Sequence, residues 1–538
     1  MTLDFTKGLE LVMADTATAV AGNQSLVRQM LKSTSYYSVA IVVQRVVSIL
    51  MLPLYTRYLT RADYGVLELL ELVLTLASLL VSVQLSTALF YYYHHTQNEN
   101  ERRRNVITAF FGTVIFGMAA AIAGVVFASG ISRLVFGSAT YEGLVRIVLV
   151  GLGLSLPAEF GFSSLRLQNR AQAFMMITIG RVLLNVTLNV VFLTALGFGV
   201  STMPWSSLIT TCCLTIFFAR VTLAENSPSL FHPPTLWKMV LYGLPLGIST
   251  AGEVILHFGD RLFLSKAVTL TDLGLYGLAY KLGMMVSFAT IPFFNYWNSQ
   301  MIGIVLRPRG EQTYARGATY LLLGQTFLVL LITVFIDPVL AILVEPSFRQ
   351  AALFVPWVGL AYLVRGMGTY WSNTFLLINR PALVAQVTWV GSGSCLLAYA
   401  TLIPRFGLWG AIAATLLGFA LMASFALWKG QRLRPFQYEY GRWAKILVCG
   451  ALAVLPSVLL HPSRITTQIA LGIASSGLFL VLLWALRFPT DGETQTLADI
   501  LRKLLSKSMA LLGGHTTAAE PTLASVQPLG EERAGTDD

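Results

Sequence analysis

The sequence predicts an all-α, polytopic membrane protein. Two six-helix bundles are related by a pseudo-two-fold axis along the membrane normal, and two extra helices follow at the C-terminal end. Three observations predict it. Apolar stretches of ~20 residues, long enough to span a bilayer, recur along most of the chain. The 538 residues are 55% hydrophobic and only 12% charged, against about 25% charged in a soluble domain, and mean hydropathy is +0.68. Finally, short motifs of the first half return in the second at a nearly constant offset.

About fourteen spans follow from length and apolarity. They lie near 33–57, 66–92, 106–129, 142–163, 174–197 and 202–224, then 238–262, 273–303, 316–337, 351–377, 381–403 and 407–429, and finally 441–460 and 467–486. The implied organisation is a polar segment 1–32, an N-terminal bundle 33–224, a linker 225–237, a C-terminal bundle 238–429, an extra helix pair 430–486 and a tail 487–538. The N-terminal segment carries Asp4, Glu10 and Asp15 and lacks the basic-then-apolar pattern of a signal peptide, so the first apolar run is expected to stay as a span. The tail begins amphipathic, "TLADILRKLLSKSMALL", and ends in a polar stretch that reads as disordered.

The net charge of +11 is a statement about topology rather than nucleic acid, because the basic residues sit in short loops. Alternate loops carrying Arg102, Arg103 and Arg104, then Arg166 and Arg170, then Arg307, Arg309 and Arg316, and later Arg432, Arg434 and Arg442 are richer than those carrying Arg57, Arg61, Arg133 and Arg349. The richer set is expected to be cytoplasmic, and an even number of spans then puts both termini there.

The repeat is read from three echoes. "LTRADYGVLELL" (59–70) returns as "VTLTDLGLYGLA" (268–279), with Thr60, Asp63 and Gly65 matching Thr269, Asp272 and Gly274 at an offset of 209. Asn169-Arg170 matches Asn379-Arg380 at 210, and Phe198-Gly199 matches Phe406-Gly407 at 208. Each repeat holds about six spans, an even number, so both halves keep one orientation and the axis lies along the membrane normal.

Ionisable groups inside spans cost about 2.5–3.5 kcal/mol each and are expected to face the protein interior or water. Helical spacing puts Tyr37, Gln44, Arg45 and Ser48 on one stripe of the first span, and Glu68, Glu71, Thr75, Ser78 and Ser82 on one stripe of the second. Thr178, Arg181, Asn185 and Asn189 share a face of the fifth. In the seventh, Tyr242, Ser249, Glu253, His257 and Asp260 line up, with Arg261 beside Asp260. Lys281 stacks towards Asn295 and Asn298 past Pro292, and Tyr362, Arg365, Thr369 and Asn373 share a face of the tenth. Arg45, Arg181, Lys281 and Arg365 are the candidates for a cationic, anion-binding cavity, since a guanidinium fork matches phosphate oxygens. Asn185, Asn189, Asn298 and Asn373 are candidates for sugar contact. Glu68, Glu71, Glu253, His257 and Asp260 are candidates for ion coupling or charge pairing. Interhelical hydrogen bonding is the competing reading for the hydroxyls and amides, and structural pairing with Glu253, Glu68 or Glu71 for the cations. Tyr55, Tyr58 and Tyr64 read as interfacial belt residues, and Arg57 and Arg61 as snorkelling side chains.

Cys212, Cys213, Cys395 and Cys449 fall in apolar runs without metal-ligand spacing and read as small hydrophobes. No metal motif, nucleophile elbow, P-loop or dinucleotide fingerprint stands out, so no cofactor and no enzyme activity are expected. The predicted outer loops are too short to build a catalytic domain.

"LPLYTRYLTRADYGVLELL", "DRLFLSKAVTLTDLGLYGLAYKLG" and "LRLQNRAQAF" together resemble the oligosaccharide and polysaccharide flippases of the multidrug/oligosaccharidyl-lipid/polysaccharide (MOP) superfamily, over about residues 33–486. The resemblance implies two bundles around a central cavity. It also implies movement of an undecaprenyl-pyrophosphate-linked glycan from the cytoplasmic to the periplasmic leaflet of a bacterial inner membrane, for O-antigen, capsule or exopolysaccharide assembly. The implied partners are that glycolipid, membrane lipids and a polysaccharide polymerase complex, with no nucleic acid. A proton- or sodium-coupled multidrug antiporter of the same superfamily is the alternative, and a membrane polymerase or glycosyltransferase a weaker one.

Overall fold

A computed structural model describes residues 36, 39, 42–44, 46–81, 84–460, 462, 464–489 and 494. Among them the chain is helical, with no strand. Contacts divide it into two units, 1–479 and 480–538. The second is described only through the end of the last helix and a turn at Arg487. Arg45, Tyr37 and Ser82 lie outside the described residues, as do most of the tail and the Ser249 side chain.

The helices, in chain order, are α1 (Leu52–Tyr58), α2 (Arg61–Val81), α3 (Leu85–His95), α4 (Glu99–Phe136), α5 (Glu142–Leu167), α6 (Ala171–Thr194), α7 (Thr202–Glu225), α8 (Pro233–Ala267), α9 (Leu270–Gly283), α10 (Met285–Val305), α11 (Gly310–Leu343), α12 (Val355–Ser372), α13 (Thr374–Leu377), α14 (Ala382–Leu433), α15 (Tyr440–Leu460) and α16 (Ile465–Ala485). Among the described residues, nine helical segments are long and apolar enough to cross a membrane, and ten if Pro346–Leu353 and Val355–Leu377 count as one span bent by 43°. The expected spans beyond these have physical reasons for differing. The span expected at 66–92 breaks at Gln84, which takes φ 46° between α2 and α3. The one expected at 238–262 carries Glu253, Asp260 and Arg261 on α8. That at 33–57 lies partly outside the described residues. The span expected at 273–303 is among the nine, as Leu270–Val305, with a turn residue at Met284 between α9 and α10 and Pro292 inside α10.

The three sequence echoes are three pieces of repeated backbone geometry. At the start of α2, the Asp63 N–H donates to Thr60 Oγ1 at 3.2 Å and the Asp63 carboxylate accepts from the Thr60 N–H at 2.9 Å. At the start of α9, the Asp272 N–H donates to Thr269 Oγ1 at 3.2 Å and the Thr269 hydroxyl donates to Asp272 at 2.8 Å. The first is a capping box, and the second shares its Thr side-chain cap with the carboxylate held by the hydroxyl instead of the backbone N–H. Asn169 and Asn379 share φ 55°, and the next residue closes the helix end in each case, Arg170 N to Leu165 O at 2.9 Å and Arg380 N to Phe375 O at 2.8 Å. Asparagine tolerates this left-handed position better than most residues. Gly199 and Gly407 have φ 54° and 56°.

Gly407 explains α14. Its 52 residues would make a rod of about 78 Å, far longer than the ~30 Å hydrocarbon core. The chain instead turns at Gly407, φ 56° and ψ −126°, so the predicted spans 381–403 and 407–429 are both present. A Cβ there is strained whatever the space around it. Gly407→Ala is expected to cost about 1–3 kcal/mol, read as a lowered thermal midpoint in detergent, whereas Gly393→Ala, in α14 with open space around it, is expected to leave the midpoint unchanged.

In the N-terminal half, α5 packs on α4 and α7, with α6 beside α7; in the C-terminal half, α14 packs on α8 and α12. Helix α8 joins the halves. Its start packs in the N-terminal half, where Met239 and Val240 meet Leu85, Ala88 and Phe110. Its later part lies in the C-terminal half, where Ser392 of α14 donates to Gly252 O at 2.7 Å. Helix α15 docks on α11 through Trp443 Nε1 to Thr319 Oγ1 at 3.0 Å.

Candidate functional site

The echo motifs meet each other. A Cβ on Gly65 would sit 1.9 Å from the carbonyl oxygen of Leu270, and a Cβ on Gly274 would sit 2.0 Å from that of Arg61. Residues 61 and 65 correspond to 270 and 274 at the repeat offset, so α2 and α9 cross reciprocally, as a pseudo-two-fold contact must. Only glycine lets the two backbones approach this closely.

Beside the crossing lies a buried ion cluster drawn from both halves. Glu68 of α2 is 1% exposed and Arg261 of α8 2%. Arg261 Nε donates to Glu68 at 3.2 Å and its NH1 to Asp260 at 2.9 Å. Lys281 of α9 lies 2.8 Å from Glu68 and 3.4 Å from Glu71. The Tyr276 hydroxyl donates to Asp260, and the Arg261 guanidinium stands 4.4 Å from the centre of the Tyr280 ring. Three carboxylates thus hold two cations. Charges so buried are tolerated only when paired.

The 3-10 segment Pro346–Leu353 covers the same end. Phe348 packs edge-on against Tyr64 at 5.0 Å, and Gln350 accepts from Arg61 NH1 at 3.2 Å. Tyr64 is therefore core rather than belt, and Arg61 holds the segment rather than only snorkelling. Tyr58 stays exposed, as a belt residue would. Hydrogen bonds from the Ser347 hydroxyl and N–H hold the Glu345 carboxylate below its ordinary range, which caps the segment.

A second constellation lies midway along the C-terminal half. Arg365 of α12 donates to Glu253 of α8 at 2.6 Å. His257 Nε2 lies 3.9 Å from Glu253, and its Nδ1 lies 2.8 Å from the Tyr362 hydroxyl. Tyr362 in turn donates to the Tyr280 hydroxyl at 2.9 Å. From His257, hydrogen bonds through Tyr362 reach Tyr280, whose ring faces Arg261, while Glu253 stands 3.9 Å from His257, beyond hydrogen-bond distance. A cavity of about 280 Å³ opens beside Arg365 and Glu253, lined also by Ser287, Thr290, Phe294 and Asn295 of α10 and by Thr369 of α12.

The predicted candidates fall into separate places. Lys281 belongs to the buried cluster and does not join Asn295 and Asn298, which lie about 21 Å or more further along the helical direction. Glu68 joins that cluster rather than opening a cavity-lining stripe. Arg181 pairs with Glu159 at 3.3 Å and stands over Phe162 at 5.5 Å. Every described cationic candidate thus has a carboxylate partner. Asn189 donates to Asn185 O at 2.8 Å, Asn185 to Thr210 Oγ1 at 3.5 Å, and Asn373 to Asn298 Oδ1 at 2.8 Å. The four amides are bonded to protein, as interhelical and intrahelical glue would be. Sequence reasoning missed Glu159 as a partner, and it missed the burial of Arg261. The signal for Arg261 was its place at the end of an apolar run, one residue after an aspartate on the polar face. Among the described residues, no group of three or more His, Cys, Asp or Glu side chains is arranged to hold a metal, and all four cysteines are free thiols, of which only Cys395 and Cys449 are buried.

Comparison with known proteins follows this geometry. Residues 54–295 match the family model described as "Polysaccharide biosynthesis protein". An uncharacterized membrane protein of Methanocaldococcus jannaschii, MJ1068, is 21% identical over 293 residues, 52% of this chain and 56% of that one, so the chain spans about half the length of this curated relative. The lipid II flippase MurJ in an inward closed conformation superposes with a TM-score of 0.64 at 12% identity, over 84% of this chain and 99% of that one. An inward-facing multidrug resistance MATE family transporter of the MOP superfamily superposes with a TM-score of 0.60 at 16% identity, over 75% of this chain and 98% of that one.

Proposed function

We propose that this chain, a multi-pass membrane protein with the fold of the MOP-superfamily flippases and transporters, moves a polyprenyl-pyrophosphate-linked glycan across a membrane by alternating access. The observation that carries the reading is the join between the halves. At one end they are closed by the reciprocal glycine crossing, the Glu68–Arg261–Lys281 cluster and the Pro346–Leu353 segment, while a polar cavity lies deeper in the C-terminal half. The closed end is the one with fewer basic residues, and the reading makes it the extracytoplasmic side. Rocking the halves apart there would expose the cavity to the other leaflet, with no covalent chemistry. The matched family's description and the flippase fold support a glycolipid substrate, and assembly of O-antigen, capsule or exopolysaccharide in a bacterial inner membrane supplies the setting. An inside-negative potential favours outward movement of the anionic headgroup by about 2.3 kcal/mol per charge per 100 mV.

A coupled multidrug antiporter is the second reading. It is favoured by Glu253, whose side chain is 45% exposed, since an accessible intramembrane carboxylate suits a cation. Reconstitution separates the two. Proteoliposomes given a labelled polyprenyl-pyrophosphate glycan in one leaflet are expected to expose it in the other faster than protein-free vesicles, and faster still under an inside-negative potential. Exposure at the protein-free rate, together with proton-driven efflux of a cationic dye, would replace the flippase by the antiporter.

A further inference from the structure

Resting on that functional reading, we infer that the cavity between α8, α10 and α12 is a subsite for one sugar ring of the transported glycan, and not for its pyrophosphate. Charge argues first. Arg365 is the cation of the site and is already neutralised by Glu253 at 2.6 Å. A pyrophosphate here would have to displace that carboxylate and then lie beside it. The same pair suits a diol. Glu253 presents acceptors only, and Arg365 lines the same cavity with a five-donor guanidinium of which one nitrogen, NH2, bonds Glu253, so acceptor and donor stand side by side, as vicinal hydroxyls require.

The rest of the wall agrees. The Thr290 hydroxyl donates to Ser287 O at 2.8 Å and that of Thr369 to Arg365 O at 3.1 Å. Their hydrogens are committed, and their lone pairs are left to accept from a ligand. Asn295 lines the cavity and is exposed. Its amide adds a donor pair and an acceptor, while the Phe294 ring offers an apolar face for sugar C–H groups. A few placed polar groups beside aromatic surface make the usual pocket for a small neutral ligand. At about 280 Å³ the space is below the ~300–1,000 Å³ of drug-sized pockets, so it takes a ring and not a repeat unit. The asparagines proposed from sequence for this task bond to protein instead.

The test uses the full chain in lipid nanodiscs, with the four native cysteines replaced by alanine and Ile291→Cys as reporter. Ile291 lines the cavity, is exposed and contributes no polar group. Its labelling by a maleimide is timed in the presence of a hexose, an N-acetylhexosamine, a deoxyhexose or a hexuronate, and separately of inorganic pyrophosphate. At least one sugar is expected to slow labelling about fivefold, and pyrophosphate is not. Asn295→Ala is expected to remove the protection while leaving the labelling rate without sugar unchanged. Protection by pyrophosphate and by no sugar would overturn the inference in favour of an anion site. Protection by neither would overturn it in favour of an unliganded gap. Glycolipid movement without sugar protection would leave the flippase standing and refute the subsite. Sugar protection without glycolipid movement would do the reverse.

Discussion

Glu68→Gln is expected to open the end of the molecule that carries the repeat motifs. Glu68 is shared by cations of two helices, Arg261 of α8 and Lys281 of α9. Removing one partner of a buried pair costs about 3–5 kcal/mol, because the remaining charge stays buried and underpaired. Arg261 keeps Asp260 at 2.9 Å and Lys281 keeps Glu71 at 3.4 Å, so the lower figure applies. The cost falls on the closed state, since parting the halves admits water to Arg261, which is 2% exposed. About 3 kcal/mol is a shift of roughly a hundredfold towards the open state. Spin labels at Tyr58→Cys and Leu353→Cys, both exposed and on opposite halves, are expected to report the longer distance as the dominant one. Lys281→Met is the graded control. Its side chain is half exposed, so its loss is expected to move the populations much less. An unchanged distance distribution in Glu68→Gln would show that the cluster is not what holds this end shut.

The parts of this machine that were legible in the sequence are those written in backbone geometry. Thr60 and Asp63, Asn169, and Gly199 return in the second half because a cap, a left-handed turn and a positive-φ position each admit few residue types. Their order and offset therefore survived as a readable repeat, and the two-bundle fold followed from it. Polar stripes were legible too, because helical spacing alone puts Glu253, His257 and Asp260 on one face. What the stripes touch was not. Glu68 meets Arg261 across 193 positions of chain, and nothing local to either residue names the other. The cationic cavity read from Arg181, Lys281 and Arg365 has the same origin: the sequence offers Glu68, Glu71 and Glu253 as alternative partners, and the structure pairs the first two with Lys281 and the third with Arg365, but nothing in the sequence decides between paired and free cations, or points to Glu159 beside Arg181. Tyr64 looked like a belt residue because it follows an apolar run, and only the return of the distant Pro346–Leu353 segment buries it against Phe348.

The second large effect is expected at the crossing of α2 and α9. Gly65→Ala places a methyl group 1.9 Å from the Leu270 carbonyl oxygen, and Gly274→Ala places one 2.0 Å from that of Arg61. Real carbons do not approach oxygen so closely, and the obstacle in each case is backbone, which has no rotamer to change. The helices must part by more than an ångström, and the overpacking cost of about 1–3 kcal/mol is joined by the loss of the neighbouring Glu68–Lys281 contact. The clash exists only while the halves are closed here. Both variants are therefore expected to fold, to keep their thermal midpoints within a few degrees, and to shift the Tyr58–Leu353 label distance outward. Symmetry makes a sharper demand. Either methyl group alone suffices to separate the helices, so the second meets no clash, and the double variant should shift the equilibrium scarcely further than either single one. Independent sites would add. Strict additivity, or a normal closed distance in either single variant, would mean that the reciprocal glycines are packing detail and that the gate closes elsewhere. Non-additive shifts of similar size from two residues 209 positions apart would instead show that the duplicated motif works as one joint.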